Sequence, residues 1–217
     1  MPRQRERPPC ELITWGEVTR LCRHLAGQIQ KAGFHPDLVV AIGRGGYVPA
    51  RLLCDYLDLM ALTSIKVEHY LSGSTKRREA RVRYPLCESL ASEVKGHRVL
   101  IVDDVNDSGD TLALAKGHVQ SFHPAEVRIA VMHDKTVSQF SVDFFARRIV
   151  KWRWIIYPWA ITEDVTDFTR RLSPPPASLN ELQQRLAEEY HLRIPLRTLR
   201  AMQVNGDLLT LDQKRAN

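Results

Sequence analysis

Residues 98–114 read RVLIVDDVNDSGDTLAL. Val99, Leu100, Ile101 and Val102 make a short apolar run rich in β-branched side chains, the pattern of a strand buried on both faces. Leu112, Leu114, Ala115 and Val119 then recur at the spacing of one helical face. Between the two lie Asp103 and Asp104, followed by Asp107-Ser108-Gly109-Asp110-Thr111, so a strand hands over to a helix through an acidic, hydroxyl-bearing turn. A helix start offers unpaired N–H groups and the positive end of the peptide dipoles, a ready seat for phosphate. Gly109 allows close backbone approach or a positive φ, and the Ser108 and Thr111 hydroxyls can donate to phosphate oxygens. Carboxylates beside an anion seat make sense if the ligand also presents sugar hydroxyls, with a divalent cation offsetting the charge.

Composition sets the frame for that turn. A chain of 217 residues has room for one ample α/β domain and a small appendage. At 44% hydrophobic and 26% charged it has the make-up of an ordinary soluble protein, and its net charge of +6 suits an anionic ligand without choosing between nucleotide and nucleic acid. Cys10, Cys22, Cys54 and Cys87 are widely spaced with no C-x-x-C pair, which argues against a zinc site or a disulfide framework. Arg3, Arg5 and Arg7 are followed by prolines instead of a hydrophobic stretch, unlike a secretory signal, and no apolar run is long enough for a bilayer. The expected setting is the reducing cytoplasm, with no membrane partner.

Taken in order, residues 1–12 form an Arg- and Pro-rich arm expected to be mobile. Thr14 and Glu17 make a capping box before Val18, Leu21, Cys22, Leu25 and Ile29, a helix that Gly33 ends. Leu38 to Ile42 reads as a strand running into Gly43-Arg44-Gly45-Gly46 and a helix near Val48-Pro49-Ala50, a second strand-to-helix turn that could seat phosphate. Ala61 to Val67 is the next strand, and the stretch from His69 to Arg81 is a polar, then strongly basic loop. Val127 to Met132 is another strand, ending at His133-Asp134-Lys135, and Lys151 to Ala160 carries three tryptophans. Ser173-Pro174-Pro175-Pro176 marks a linker. Beyond it Ser178 and Glu181 make a second capping box, Leu179, Leu182, Leu186 and Tyr190 line a helix, and a shorter helix follows near Leu196 to Met202. The fold class is α/β, with a mostly parallel central sheet flanked by helices. The division is a mobile arm (1–12), a main domain (13–172), and a linker with a small helical appendage (173–217).

The central segment resembles a known family. VLIVDDVNDSGDT fits the phosphoribosyl diphosphate (PRPP) signature of type I phosphoribosyltransferases, and IGRGGYVPARLL resembles their diphosphate loop. The resemblance covers roughly residues 14–160 and implies the type I phosphoribosyltransferase fold with its small hood. It also implies a non-proline cis peptide at Arg44–Gly45 and a flexible lid in which Lys76, Arg77 and Arg78 are the candidate charges. Lys135 stands where the 6-oxopurine branch has a lysine that hydrogen-bonds the purine O6. The segment Trp154-Ile155-Ile156-Tyr157-Pro158-Trp159 resembles that branch's W-I-x-x-P-W, so Trp154 would stack on the base and the Ile155 backbone would meet its edge. The branch usually has an acid after the final tryptophan, where this chain has Ala160.

The implied activity is Mg²⁺-dependent transfer of phosphoribose from PRPP to hypoxanthine, guanine or xanthine, giving a nucleoside 5′-monophosphate and diphosphate in purine salvage. Arg44 and Gly45 would hold the leaving group, and Ser108, Gly109, Asp110 and Thr111 the 5′-phosphate. Asp107 would be the proton acceptor at the purine N7. Asp103 and Asp104 would take the ribose hydroxyls, directly or through metal and water. Because strand neighbours point to opposite faces, both can serve only if the strand ends there. A homodimer or homotetramer is the assembly the resemblance implies. The alternative is a PRPP- or nucleotide-sensing regulator with a nucleic-acid-binding tail. Against a nucleic-acid role, Arg193, Arg197 and Arg200 alternate with Glu181, Glu188, Glu189, Asp207 and Asp212. A pyrimidine-directed member is disfavoured by Lys135 and Trp154.

Overall fold

The apolar runs of the sequence become the strands of a single large sheet in the computed structural model. The structure describes residues 9–71 and 78–204, without the side chains of 69–71, 78, 79 and 204. From the N-terminus come β1 (Cys10–Leu12), α1 (Trp15–Lys31), β2 (Leu38–Gly43), α2 (Tyr47–Tyr56), β3 (Leu62–Leu71) and β4 (Arg78–Tyr84). A 3₁₀ turn at Glu88–Leu90 leads into α3 (Ala91–Val94), β5 (Arg98–Asn106), α4 (Asp110–Gln120), β6 (Glu126–Lys135) and β7 (Phe144–Ile149). Last are β8 (Trp154–Ile156), α5 (Ile161–Arg171), α6 (Leu179–Tyr190) and α7 (Leu196–Val204).

The chain forms two compact units, residues 16–152 and residues 1–15 with 153–217. In the first, six strands lie in the order β4-β3-β2-β5-β6-β7, all parallel except the β3–β4 pair. Alternate residues of the central strands face opposite ways, and both faces are covered. Val40, Ile42, Val99, Ile101, Ile129 and Val131 share a core with Leu112, Ala115 and Val119 of α4. Their neighbours Val39, Ala41, Leu100, Val102, Ala130 and Met132 are equally buried. The Cys22 thiol of α1 lies 3.7 Å from the Met132 sulfur, which places that helix against β6. At the N-terminal end of the strands, Arg98 donates from its backbone and its guanidinium to Asp37 at 2.8–3.1 Å. Those hydrogen bonds are the largest cause holding the Asp37 carboxyl down to about 2.

The strand order reverses direction once. From β2 the chain moves outward to β3 and β4, then returns to β5 on the other side of β2 and continues to β6 and β7. In open α/β sheets the crevice at the carboxyl ends of the two strands flanking such a reversal is where ligands bind. Here those strands are β2 and β5, and their ends carry the two glycine-containing turns.

The second unit pairs β1 with β8 in parallel and builds its core from α5, α6 and α7. Ile156, Val165, Phe168 and Leu172 pack with Leu182, Leu186, Tyr190 and Leu199, and the Phe168 and Tyr190 rings stack at 4.5 Å. That packing is why residues 153–172, grouped by sequence with the main domain, cluster here with the C-terminal helices. The Ser178 hydroxyl accepts from the Glu181 N–H at 3.2 Å, closing the cap of α6.

Candidate active site

The β2 turn forms because a fully buried strand meets three glycines within four residues. Its Gly46 N–H returns to the Ile42 carbonyl at 2.8 Å, and the Tyr47 N–H to the Arg44 carbonyl at 3.3 Å. The non-proline cis peptide is Gly43–Arg44, one bond before the expected Arg44–Gly45. It comes directly after Gly43, the last residue of β2, inside the turn that the Gly46–Ile42 hydrogen bond closes. No side chain caps the start of α2 at Gly46, and its first N–H groups, with the exposed Arg44, form an electropositive end.

The β5 turn is built the same way. Gly109 has φ +94°, and a Cβ there would come 2.4 Å from the Phe140 Cβ, so conformation and crowding both require glycine. The Ser108 hydroxyl donates to the Asp110 carboxylate at 2.9 Å in the first turn of α4, where Thr111 follows. Buried Asn106 ties the turn down. Its amide donates to the Asp134 carboxylate and the Phe140 carbonyl, both at 2.8 Å, and its oxygen accepts from Ser138 at 2.8 Å.

The two turns meet. A Cβ built on Gly45 would lie 2.4–2.6 Å from the carboxyl atoms of Asp104, so the backbone of one turn rests directly on the acid of the other. Strand β5 does not stop before the acid pair but runs on to Asn106, because β6 continues to pair with it at Val105 and Asn106. Asp103 and Asp104 are therefore consecutive strand residues. Asp104 reaches the β2 turn, whereas Asp103 is buried and accepts from the Asp104 N–H at 2.9 Å. Burial first, then the charge of Asp104, pushes the Asp103 carboxyl well above its ordinary range. Of the two, it is Asp104 that presents its carboxyl at the β2 turn, and a carboxylate there is the hard oxygen donor that a divalent cation suits. No group of three or more His, Cys, Asp or Glu ligands gathers among the described residues. A Mg²⁺ ion here would thus be completed by phosphate oxygens and water, as is common for that ion.

Farther along the strand ends lies a second cluster. The Lys135 ammonium, almost fully buried at the end of β6, sits 3.0 Å from the Asp107 carboxylate. The Trp152 indole N–H donates to the other Asp107 oxygen at 3.2 Å, and the Lys135 ammonium lies 4.7 Å from the centre of that indole ring. Sequence reading passed over Trp152, which lies outside the matched W-I-x-x-P-W pattern; its only signal was one aromatic too many in the Lys151–Ala160 stretch.

Arg44, Gly45, Asp103, Asp104, Asp107, Ser108, Gly109, Asp110, Thr111 and Lys135 all fall within the six-stranded unit, at or just beyond the carboxyl ends of β2, β5 and β6. Trp154 and Ile155 belong to β8 in the other unit, where the Trp154 indole N–H donates to Asp164 at 2.9 Å. Lys76 and Arg77 lie outside the described residues. Arg78 opens β4, its side chain likewise outside the description.

Known proteins resemble this chain in sequence and fold. Residues 11–164 match the model of the phosphoribosyl transferase domain. A xanthine-guanine phosphoribosyltransferase of Ruegeria sp. (strain TM1040) is 35% identical over 156 residues, covering 68% of this chain and 83% of that protein. The crystal structure of a purine phosphoribosyltransferase from Pyrococcus horikoshii shares 30% identity over 69% of this chain and 93% of its own, with a TM-score of 0.59. A Neisseria gonorrhoeae protein solved with bound ppGpp shares 26% identity over 70% of this chain and 89% of its own, with a TM-score of 0.63. With the signature turn of β5, the diphosphate-loop turn of β2 and a family match over most of its length, this chain belongs to the phosphoribosyl transferase domain family.

Proposed function

We propose that this protein transfers the 5-phosphoribosyl group of PRPP to a 6-oxopurine, forming a nucleoside 5′-monophosphate and diphosphate, as in purine salvage. The observation that carries the reading is the contact of Gly45 with Asp104, which sets two phosphate-seating turns side by side at the switch point of the sheet. The backbone N–H groups of the β2 turn at Arg44 and Gly45 and the Arg44 guanidinium hold the departing diphosphate. The N-terminus of α4, with Ser108 to Thr111, cradles the 5′-phosphate. Asp104, with Asp103 behind it, takes the ribose hydroxyls. Asp104, with Asp103 through water, would hold a Mg²⁺ ion, which would supply neutralising charge for the leaving group.

On the base side, a 6-oxopurine presents O6 and N7 next to each other on one edge. Lys135 and Asp107, 3.0 Å apart, offer a donor for O6 and a proton acceptor for N7 at matching separation. The roles of Trp154 as stacking partner and Ile155 as backbone contact belong to the same reading, as do a homodimeric or homotetrameric assembly and a cytoplasmic setting. No described helix is long and apolar enough to cross a membrane.

The test is incubation with PRPP, Mg²⁺ and hypoxanthine, guanine or xanthine in turn. Nucleoside monophosphate and diphosphate are expected in equal amounts from at least one base, and no product from any of them rejects the assignment. Comparing kcat/KM across the three bases sets the preference. The second reading is nucleotide sensing without turnover, favoured by the ppGpp held in the related Neisseria gonorrhoeae structure. Calorimetric binding of a guanine nucleotide with no product formed would select it.

A further inference from the structure

The residue after the last tryptophan of the segment Trp154–Trp159 is Ala160. Ala160 caps α5, and the Asp164 N–H donates to its carbonyl at 3.0 Å. Asp164 therefore stands one helical turn after Ala160. Its Oδ1 accepts from the Trp154 indole N–H at 2.9 Å.

The Trp154 backbone is already fixed, pairing with Cys10 and donating to the Pro9 carbonyl at 2.9 Å. Its side chain is 38% exposed, however, and an exposed ring on a fixed backbone still has several staggered orientations open to it. The bond to Asp164 selects one. We propose that Asp164, from the first turn of α5, is the positioning residue of Trp154, holding the indole ready for the base before the base arrives. The inference rests on the reading of Trp154 as the base-stacking ring.

The surroundings of Asp164 give this hold a pH dependence. Burial is the largest influence on the carboxyl, with Glu163 and Asp167 of the same helix adding like charge against the pull of the Trp154 N–H, and together they raise it to about 6. Cys10, facing it from β1, is a neutral thiol, pushed up to about 12 mainly by its own burial and further by Asp164. At neutral pH the acceptor is a carboxylate, and charge-assisted bonds are roughly twice as strong as neutral ones. In mild acid the carboxyl gains a proton and the hold on the ring weakens.

The experiment uses the full chain with hypoxanthine and PRPP, comparing wild type, Asp164→Asn, Asp164→Leu and Trp154→Leu from about pH 5 to about pH 8. Asp164→Leu is expected to raise the KM for hypoxanthine about tenfold at neutral pH, with kcat and the KM for PRPP within about twofold. Asp164→Asn keeps an oxygen acceptor, so its hypoxanthine KM stays near that of wild type but loses the rise that wild type shows below about pH 6. Independently of activity, the Trp154 indole N–H resonance should titrate with a midpoint near 6 in wild type and be flat in Asp164→Asn. An unchanged hypoxanthine KM in Asp164→Leu, an equal loss in kcat and both KM values, or an indole resonance that titrates identically in Asp164→Asn overturns the proposal. If Trp154→Leu itself leaves the hypoxanthine KM unchanged, the stacking reading falls, whatever holds the ring.

Discussion

Lys135 and Asp107 form an ion pair at 3.0 Å in which the lysine is almost entirely buried and the aspartate is half exposed. Each is the other's partner, and on the proposed reading a base would take both. A purine that offers O6 to the ammonium and N7–H to the carboxylate replaces that pair with two neutral-to-charged hydrogen bonds, so the buried lysine is never left without an acceptor.

Asp107→Asn preserves shape and removes the proton acceptor. General-base contributions of this kind are about 10²- to 10⁴-fold, so kcat should fall by about that range while the KM for PRPP changes by less than about threefold. Steady-state kinetics with both substrates varied checks this, and undiminished turnover would take Asp107 out of the base's role.

Trp152 completes the cluster through its indole N–H to Asp107 and its ring beside Lys135. Trp152→Phe keeps an aromatic ring beside Lys135, though a smaller one, and loses the N–H. A hydrogen bond to a charged group contributes about 1.5 kcal/mol or more, so kcat/KM for the base should drop about tenfold, with the KM for PRPP unaffected. Equal kcat/KM in the two proteins would mean that the indole hydrogen bond does nothing for the reaction.

At Gly45 the prediction is steric. An added methyl would meet the Asp104 carboxyl at 2.4–2.6 Å, well inside normal contact, and must push either the turn or the acid away. Because the collision lies at the strand ends and not in the core, Gly45→Ala should fold with little change in Tm. Its KM for PRPP should rise by about 100-fold, the cost expected of an ångström-scale misplacement in a positioned site. A normal KM for PRPP in a well-folded variant would separate the Gly45–Asp104 contact from substrate binding.

The parts of the site legible in the sequence are those decided locally. Both turns could be read because an apolar run, a glycine cluster and an apolar helical face follow one another within about one motif's length, and the positive φ of Gly109 follows from the same pattern. What escaped was decided across the chain. The extension of β5 through Asn106 is set by pairing with β6, and Trp152 reaches Asp107 from 45 residues away. The grouping of 153–172 with the tail depends on Phe168 meeting Tyr190. The resemblance implies a cis bond at Arg44–Gly45, whereas it falls at Gly43–Arg44, directly where β2 ends.

Asp103 should trade stability for activity. Its folded carboxyl is raised above the unfolded value, so above the unfolded pKa the folded state holds it at a cost. Asp103→Asn removes that cost. At neutral pH its Tm should rise, while kcat/KM for PRPP falls. A Tm that drops in scanning calorimetry would mean the buried acid is held by compensating interactions and not merely tolerated.

His133 has the opposite sign and can be isolated by subtraction. It is fully buried in β6, and burial first, then the positive charges of Arg147 and Lys135 against the weaker pull of Glu17, lowers its pKa from 6.5 to about 3. Between those two values the unfolded chain binds a proton that the folded chain refuses, so acidification favours unfolding; above about 6.5 both states are neutral and the group contributes nothing. Raised carboxyls such as Asp164, near 6, work the other way over part of the same window and blur the profile of the wild-type protein alone. In His133→Gln they are unchanged, so the difference in unfolding free energy between wild type and variant carries the histidine by itself. That difference should be flat above about pH 7 and slope below it by at most about 1.4 kcal/mol per pH unit, the limit for one proton. Urea unfolding at several pH values reads the slope directly, and parallel profiles for the two proteins would mean that His133 is protonated in the fold or that its environment is open to water.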